Sequence, residues 1–156
     1  ISRSAETEYP NECCGMIAGT RKPDGTVAVT QVVPSRNMAT DNVRDSFEVD
    51  PQVRFDLMRE LSNAGNGTDI VGHYHSHPNH PAKPSARDLA MAYEPDLIWV
   101  IVSVGDNGVV DIRAHSVLPG GSAFQETPLH IVGVGSYSST LATSSTPTTS
   151  NGDIAP

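Results

Sequence analysis

Residues 97 to 104 read LIWVIVSV, eight positions with one polar side chain, and Asp106-Asn107-Gly108 follows as a strong turn signal. An unbroken apolar run of that length is a strand covered on both faces, the buried centre of a sheet. Covering both faces takes helices, so the segment calls for an α/β or α+β domain with a mixed sheet. The flanking pattern supplies the parts. Val27 to Val33 reads as a strand after an Asp24-Gly25 turn, and Ser46 to Val49 as a short one. Asp50-Pro51 provides an N-cap and a first-turn proline, Val53, Leu57, Leu61 and Ala64 recur at helical spacing, and Gly65 stops the run. Ile70 to His75 reads as a strand, Ser85 to Tyr93 as a helix capped by Ser85, and Val109 to His115 as a strand. Phe124 to Val132 is expected as an edge strand that Pro128 weakens. No internal repeat is present.

A chain of 156 residues has room for one such domain and a tail. Residues 1–134 are assigned to the domain. From Ser136 to Pro156, 11 of 21 residues are Ser or Thr, so residues 135–156 are expected to form a flexible tail that cannot offset its ordering entropy. Ten Lys and Arg against eighteen Asp and Glu give a net charge of -8, which argues against nucleic acid or a membrane surface as partner. The two cysteines, Cys13 and Cys14, are adjacent and exclude a disulfide-built scaffold in practice; they read as small buried residues. No run reaches the ~20 apolar residues of a membrane span, and no leader pattern is visible. A cytoplasmic location is the expectation.

The chemistry concentrates in residues 73–88, HYHSHPNHPAKPSARD, where four of the six histidines fall in the first eight positions. Histidine is the commonest metal ligand, and clustering in a cysteine-poor chain points to zinc or another borderline ion. On a strand, positions i and i+2 share a face, so His75 and His77 can converge on one ion, with Asp88 returning a carboxylate from the start of the next helix. Two histidines and one carboxylate leave an open position, the arrangement of a catalytic zinc. Each piece alone has a plainer explanation. An H-x-H pair is common on surfaces, and Ser85-x-x-Asp88 is ordinary helix punctuation as a capping box. Together, behind a buried strand, they favour metal. His73 shares the strand face and could replace a ligand, but its place one step further from the loop favours packing behind the site. His80, in the Pro-rich loop, reads as solvated.

His75-Ser76-His77-Pro78, six residues, then Ser85-Ala86-Arg87-Asp88 resembles the JAMM signature of the MPN+ metalloproteases, H-[ST]-H-P-x6-S-x2-D. Tyr9-Pro10-Asn11-Glu12-Cys13-Cys14-Gly15 resembles the P-x-E-C-C-G segment of the short bacterial and archaeal members, and the stretch from Phe47 to Gly72 and the WVIVSV strand fit them too. The resemblance spans roughly residues 1–132. It implies the MPN (JAB1-like) fold, a mixed sheet flanked by helices, without the family's first strand, since only Ile1 to Glu8 precede the Tyr9 segment. It implies one Zn2+ per chain on His75, His77 and Asp88, Glu12 as catalytic acid/base, and Ser85 as stabiliser of the oxyanion. The implied activity is hydrolysis of peptide or isopeptide bonds. The implied substrate is a ubiquitin-like or sulfur-carrier protein with a Gly-Gly C-terminus, which the polar segment Ser35 to Asp45 could clamp by strand addition. The alternatives are a cell-wall or phage-tail peptidase of the same type, and an MPN scaffold without catalysis.

Overall fold

A computed structural model of the chain describes residues 1–132. Along it run α1 (Ser2–Glu8), β1 (Cys14–Arg21), β2 (Val27–Ser35), α2 (Pro51–Ala64), β3 (Asp69–Pro78), α3 (Ala86–Ala90), β4 (Ile98–Gly105), β5 (Gly108–Val117) and β6 (Phe124–Thr127). The strands form one mixed sheet in the order β2-β1-β3-β4-β5-β6. Only β3 and β4 pair in parallel, and they occupy the middle, where the LIWVIVSV run is expected. The expected tail and the domain end at Val134 lie outside the described residues.

Two cores sandwich the sheet. On one face α1 lays Ala5 against Cys13, Ile17, Tyr74, Val100, Val102, Val104 and Ala114. On the other, Leu57 and Leu61 of α2 pack on Met16 and Ala18. The register of β1 on β3 steps from Ile17↔Gly72 to Ala18↔Ile70, which leaves Val71 as an extra, bulged residue. That one residue resets the alternation of β3. Beyond it Tyr74 joins the α1 core, while His73, His75 and His77 all turn to the opposite face.

Helix α2 begins and ends where its caps require. Asp50 accepts a hydrogen bond from the Gln52 N–H at 2.9 Å, Pro51 opens the first turn, and Gly65 closes the helix at φ 58°. Three expected elements differ. The Ser46–Val49 strand reduces to a single bridge, Asn37↔Val49, because the Asn37 side chain takes the hydrogen bonds a ladder would use. Its Nδ2 donates to the carbonyls of Glu12 and Ser46, and its Oδ1 accepts from the N–H groups of Ala39 and Glu48. Helix α3 stops at Ala90 rather than Tyr93, since Pro95 holds Glu94 out of the helical region and Met91 and Tyr93 face solvent. Strand β6 ends at Thr127, immediately before Pro128, which has no N–H to continue the ladder. Two elements, α1 and β1, have no counterpart in the expected list.

At Gly15 the sheet has no space for a side chain. A Cβ there would stand 2.4 Å from the Val33 carbonyl oxygen and 2.5 Å from Cε1 of Tyr74, whose ring is fully buried. Gly15→Ala is therefore expected to destabilise the domain by about 1–3 kcal/mol or more, the range for overpacking a tight interior. Urea denaturation measures it; an unchanged midpoint would mean that β2 moves freely off β1.

Candidate metal centre

His75 and His77 leave β3 on one face, and Asp88 arrives from the first turn of α3. Ring nitrogens of the two histidines and a carboxylate oxygen lie within 4.8 Å of one another, the only such group among the described residues. The separations are 3.0 Å between the two Nε2 atoms, 3.3 Å from His75 Nε2 to Asp88 Oδ1 and 3.5 Å from His77 Nε2 to Asp88 Oδ2. Donors 2.0 to 2.1 Å from a tetrahedral ion are roughly 3.3 Å apart, so the spacing suits a small four-coordinate cation with one position open. Tautomer supports the same conclusion. His77 Nδ1 is 3.0 Å from the Pro81 carbonyl, which can only accept, so Nδ1 carries the proton and Nε2 offers a lone pair. His75 Nδ1 has no partner, and its ring is held instead by stacking on Phe47 at 4.2 Å.

Separate pieces of chain hold the side chains of this group. The loop carrying Pro81 is clamped from below by Ser103, whose hydroxyl donates to the His80 carbonyl at 2.7 Å, and by His115, whose Nε2 meets the Ala82 carbonyl at 3.0 Å. Asp88 sits in a complete capping box. Its Oδ2 accepts the Ser85 N–H at 2.6 Å, and Ser85 Oγ accepts the Asp88 N–H at 3.1 Å. Ser76, between the two histidines, points to the other side and ties in the Glu12 segment. Its Oγ accepts from the Cys13 N–H at 2.8 Å, and its own N–H donates to the Cys13 carbonyl at 3.0 Å. Glu12 is further held by its N–H to the Val43 carbonyl and its carbonyl to Asn37.

Glu12, His77, Ser85 and Asp88 line one groove of about 790 Å³, so all the residues singled out in the sequence except His75, which lies beneath, meet in one place. Glu12 is buried, and burial pushes its carboxyl up to about 7, with Asp88 and Asp45 adding to the rise and His77 opposing it. For Asp88 burial also acts upward, but hydrogen bonds with His75 and His77 outweigh it and hold the carboxyl below the usual range. Burial lowers His75; for His77 it is outweighed by hydrogen bonds to Asp88 and the Pro81 carbonyl, and the pKa rises. His73 is packed edge-on against Trp99 at 4.1 Å, outside the ligand group, and burial takes it down to about 3. His80 is exposed, and both cysteines are buried and free. Asn37, Ser103 and His115 hold the site and carry no motif; nothing in the sequence marks them.

Residues 1–116 match the family described as prokaryotic homologs of the JAB domain. The chain belongs to that family. Among its relatives, the CysO-cysteine peptidase of Mycobacterium tuberculosis is 28% identical over 82% of each chain. The desampylase of Haloferax volcanii is 35% identical over 64% of this chain and 67% of its own. The solution structure of a Desulfitobacterium hafniense protein superposes with a TM-score of 0.66 at 28% identity, covering 80% of this chain and 81% of the other. The fold is thus the mixed α/β fold of JAB domains. No helix among the described residues is long and apolar enough to cross a membrane.

The raised Glu12 carboxyl has a stability consequence with a definite sign. Its pKa rises from 4.5 to about 7 on folding, so the folded state prefers the neutral form. Below pH 4.5 Glu12 adds no penalty, and above pH 7 the penalty is complete. With a chelator present, Glu12→Gln is expected to be more stable than the parent by about 1–3 kcal/mol at pH 8, the gain vanishing near pH 4.5. Paired thermal melts across that range test it; a constant difference would remove the carboxyl as its cause.

Proposed function

We propose that this chain is a zinc-dependent peptidase or isopeptidase acting at the C-terminus of a ubiquitin-like or sulfur-carrier protein. The observation that carries the reading is the convergence of Glu12 and Ser85 on the groove that holds the His75-His77-Asp88 group. The names of the relatives, a CysO-cysteine peptidase and a desampylase, support the substrate class.

Two imidazoles and one carboxylate form a donor set to which zinc is suited, and they would hold one ion. When bound, zinc lowers the pKa of a coordinated water to about 7 and polarises the scissile carbonyl. Glu12 takes the proton as the water's oxygen adds to the carbonyl carbon, and returns it to the amine as the C–N bond breaks. A carboxyl pushed up to about 7 is matched to that double duty near neutral pH. Ser85 donates to the oxygen of the scissile carbonyl as charge develops there. Its role as a cap does not prevent this. Capping uses an Oγ lone pair as acceptor from the Asp88 N–H, and the hydroxyl proton remains free to donate. Asp45, Glu48, Lys83 and Arg87 all line the groove, so an extended tail would meet charges of both signs there.

Zinc is expected at one equivalent in the parent and well below that in His75→Ala, by elemental analysis. Glu12→Gln should keep the fold and the zinc, because the amide is nearly isosteric and is not a ligand. Its hydrolysis of a ubiquitin-like fusion should fall about 100- to 10,000-fold. Ser85→Ala should lose about 100- to 1,000-fold, with about 1 kcal/mol of stability lost through the cap. Parent-level turnover by Glu12→Gln at matched zinc occupancy would leave the proton transfer with another group.

A further inference from the structure

Glu12 stands just ahead of β1, and no strand ladder holds it. Its neighbour Cys13 is tied to Ser76 of β3, but both backbone groups of Glu12 itself bind a single loop. The Glu12 N–H donates to the Val43 carbonyl at 2.8 Å, and its carbonyl accepts from Asn37 Nδ2 at 3.1 Å. The same Nδ2 donates to the Ser46 carbonyl at 2.8 Å, while Asn37 Oδ1 accepts the Ala39 and Glu48 N–H groups, each at 3.0 Å. One side chain thus uses both donors and both lone pairs, on partners from the two ends of the loop and from Glu12. Beside it the Met38 N–H donates to the Glu48 carbonyl at 2.8 Å, which closes the neck. Inside, the buried Ser46 hydroxyl reaches the Asp41 and Asn42 carbonyls, so the loop is packed by its own groups.

We propose that Asn37 is a positioning residue for Glu12, which it locks to the 38–48 loop so that the loop and the base form one unit. The inference rests on the hydrolytic reading above, which makes Glu12 the base. An asparagine in an ordinary turn bonds only its own neighbours. Asn37 does that through Oδ1, but its Nδ2 is aimed at a residue 25 positions away. Among the described residues no hydrogen bond holds the Glu12 carboxylate, so its backbone anchors set where it stands. The loop is also a wall of the groove, to which it contributes Asp41, Asp45, Phe47 and Glu48. A substrate tail lying against these side chains therefore shares its anchor with the proton-transfer group, and a loop left open at its neck would misplace both. A displacement of about 1 Å in a reacting group can cost on the order of 100-fold in rate.

Amide hydrogen exchange on the full chain tests the unit without turnover. The N–H groups of Glu12, Ala39 and Glu48 should exchange with one common opening free energy, below that of β4 amides such as Val102. In Asn37→Ala all three should exchange about tenfold faster or more, beyond any change in β4, the effect of losing one net hydrogen bond. Turnover of a ubiquitin-like fusion by the zinc-loaded protein gives the second arm. Asn37→Ala should lower kcat about 10- to 100-fold in the parent but less than about threefold in Glu12→Gln, because a residue that acts through the base has nothing to place once the base is gone. Equal losses in both backgrounds would make Asn37 a general support of the fold and overturn the proposal. So would a Glu12 N–H that exchanges with β4 rather than with the loop. Should Asn37→Ala not fold, Asn37→Ser takes its place, and the exchange pattern of the parent needs no variant. If Glu12→Gln turns over at the parent rate, or no fusion is cleaved, the hydrolytic reading is at fault, and the exchange arm alone decides whether Asn37 holds Glu12 to the loop.

Discussion

Two imidazole nitrogens held 3.0 Å apart beside a carboxylate, in side chains almost sealed from water, are the constraint on which the structure turns. In solution three such groups would separate and hydrate. They cannot do so here because His75 and His77 sit on the strand at the centre of the sheet, with β1 antiparallel on one side and β4 parallel on the other. The β4 ladder reaches both residues and the β1 ladder reaches His75, which fixes the two Cβ positions, and the Phe47 and Trp99 rings limit where the His75 imidazole can swing. The donors are thus arranged before any cation arrives, and binding has little reorganisation left to do.

The supports of the site are also the supports of the fold. Ser76 joins the Glu12 segment to β3 by two reciprocal hydrogen bonds, and Asn37 ties the same segment to the loop that carries Phe47. Ser103 and His115 reach up from β4 and β5 to the loop whose Pro81 carbonyl sets the tautomer of His77. The bulge at Val71 belongs to this set. Without its extra residue, β3 would present Tyr74 to the groove and bury the histidines in the α1 core, since a one-residue slip reverses every side chain of a strand.

Legibility in the sequence followed how local each signal is. The convergence of His75, His77 and Asp88 was readable because strand and helix periodicities convert His75-x-His77 and Ser85-x-x-Asp88 directly into geometry. Helix α2 was readable from its caps, and β4 from its unbroken apolar run. Strand β1 escaped because Gly15 and Gly19 interrupt its β-propensity; both are glycine for contacts with β2 and Tyr74 that exist only in three dimensions. Helix α1 buries little beyond Ala5, with Ile1 and Tyr9 one turn away on either side, a stripe too thin to register without the sheet beneath it. The expected Ser46–Val49 strand was misleading because an asparagine nine residues upstream of Ser46 supplies the hydrogen bonds. Glu12 could be reached only through the family resemblance, since nothing local distinguishes it from a surface glutamate.

The two carboxylates of the groove show how one small cavity supports two kinds of chemistry. Both Asp88 and Glu12 are buried, and burial alone raises either one. Asp88 has two imidazoles and the Ser85 N–H directed at its oxygens, and these hold it ionised, the form in which a carboxylate could hold a metal ion. Among the described residues the Glu12 carboxylate accepts no hydrogen bond. It has Asp88 and Asp45 as like-charged neighbours, so its carboxyl stays near the point where gaining and losing a proton are balanced. Environments that drive paired acids apart in this way suit one to permanent charge and the other to the proton transfer proposed for Glu12. The His75 and His77 rings contribute most to that separation, and the Ser85 N–H adds a smaller share while it holds Asp88 at the helix terminus beside them. Glu12 has no such donors, so burial and its acidic neighbours go unopposed except by the more distant charges of His77 and Arg87.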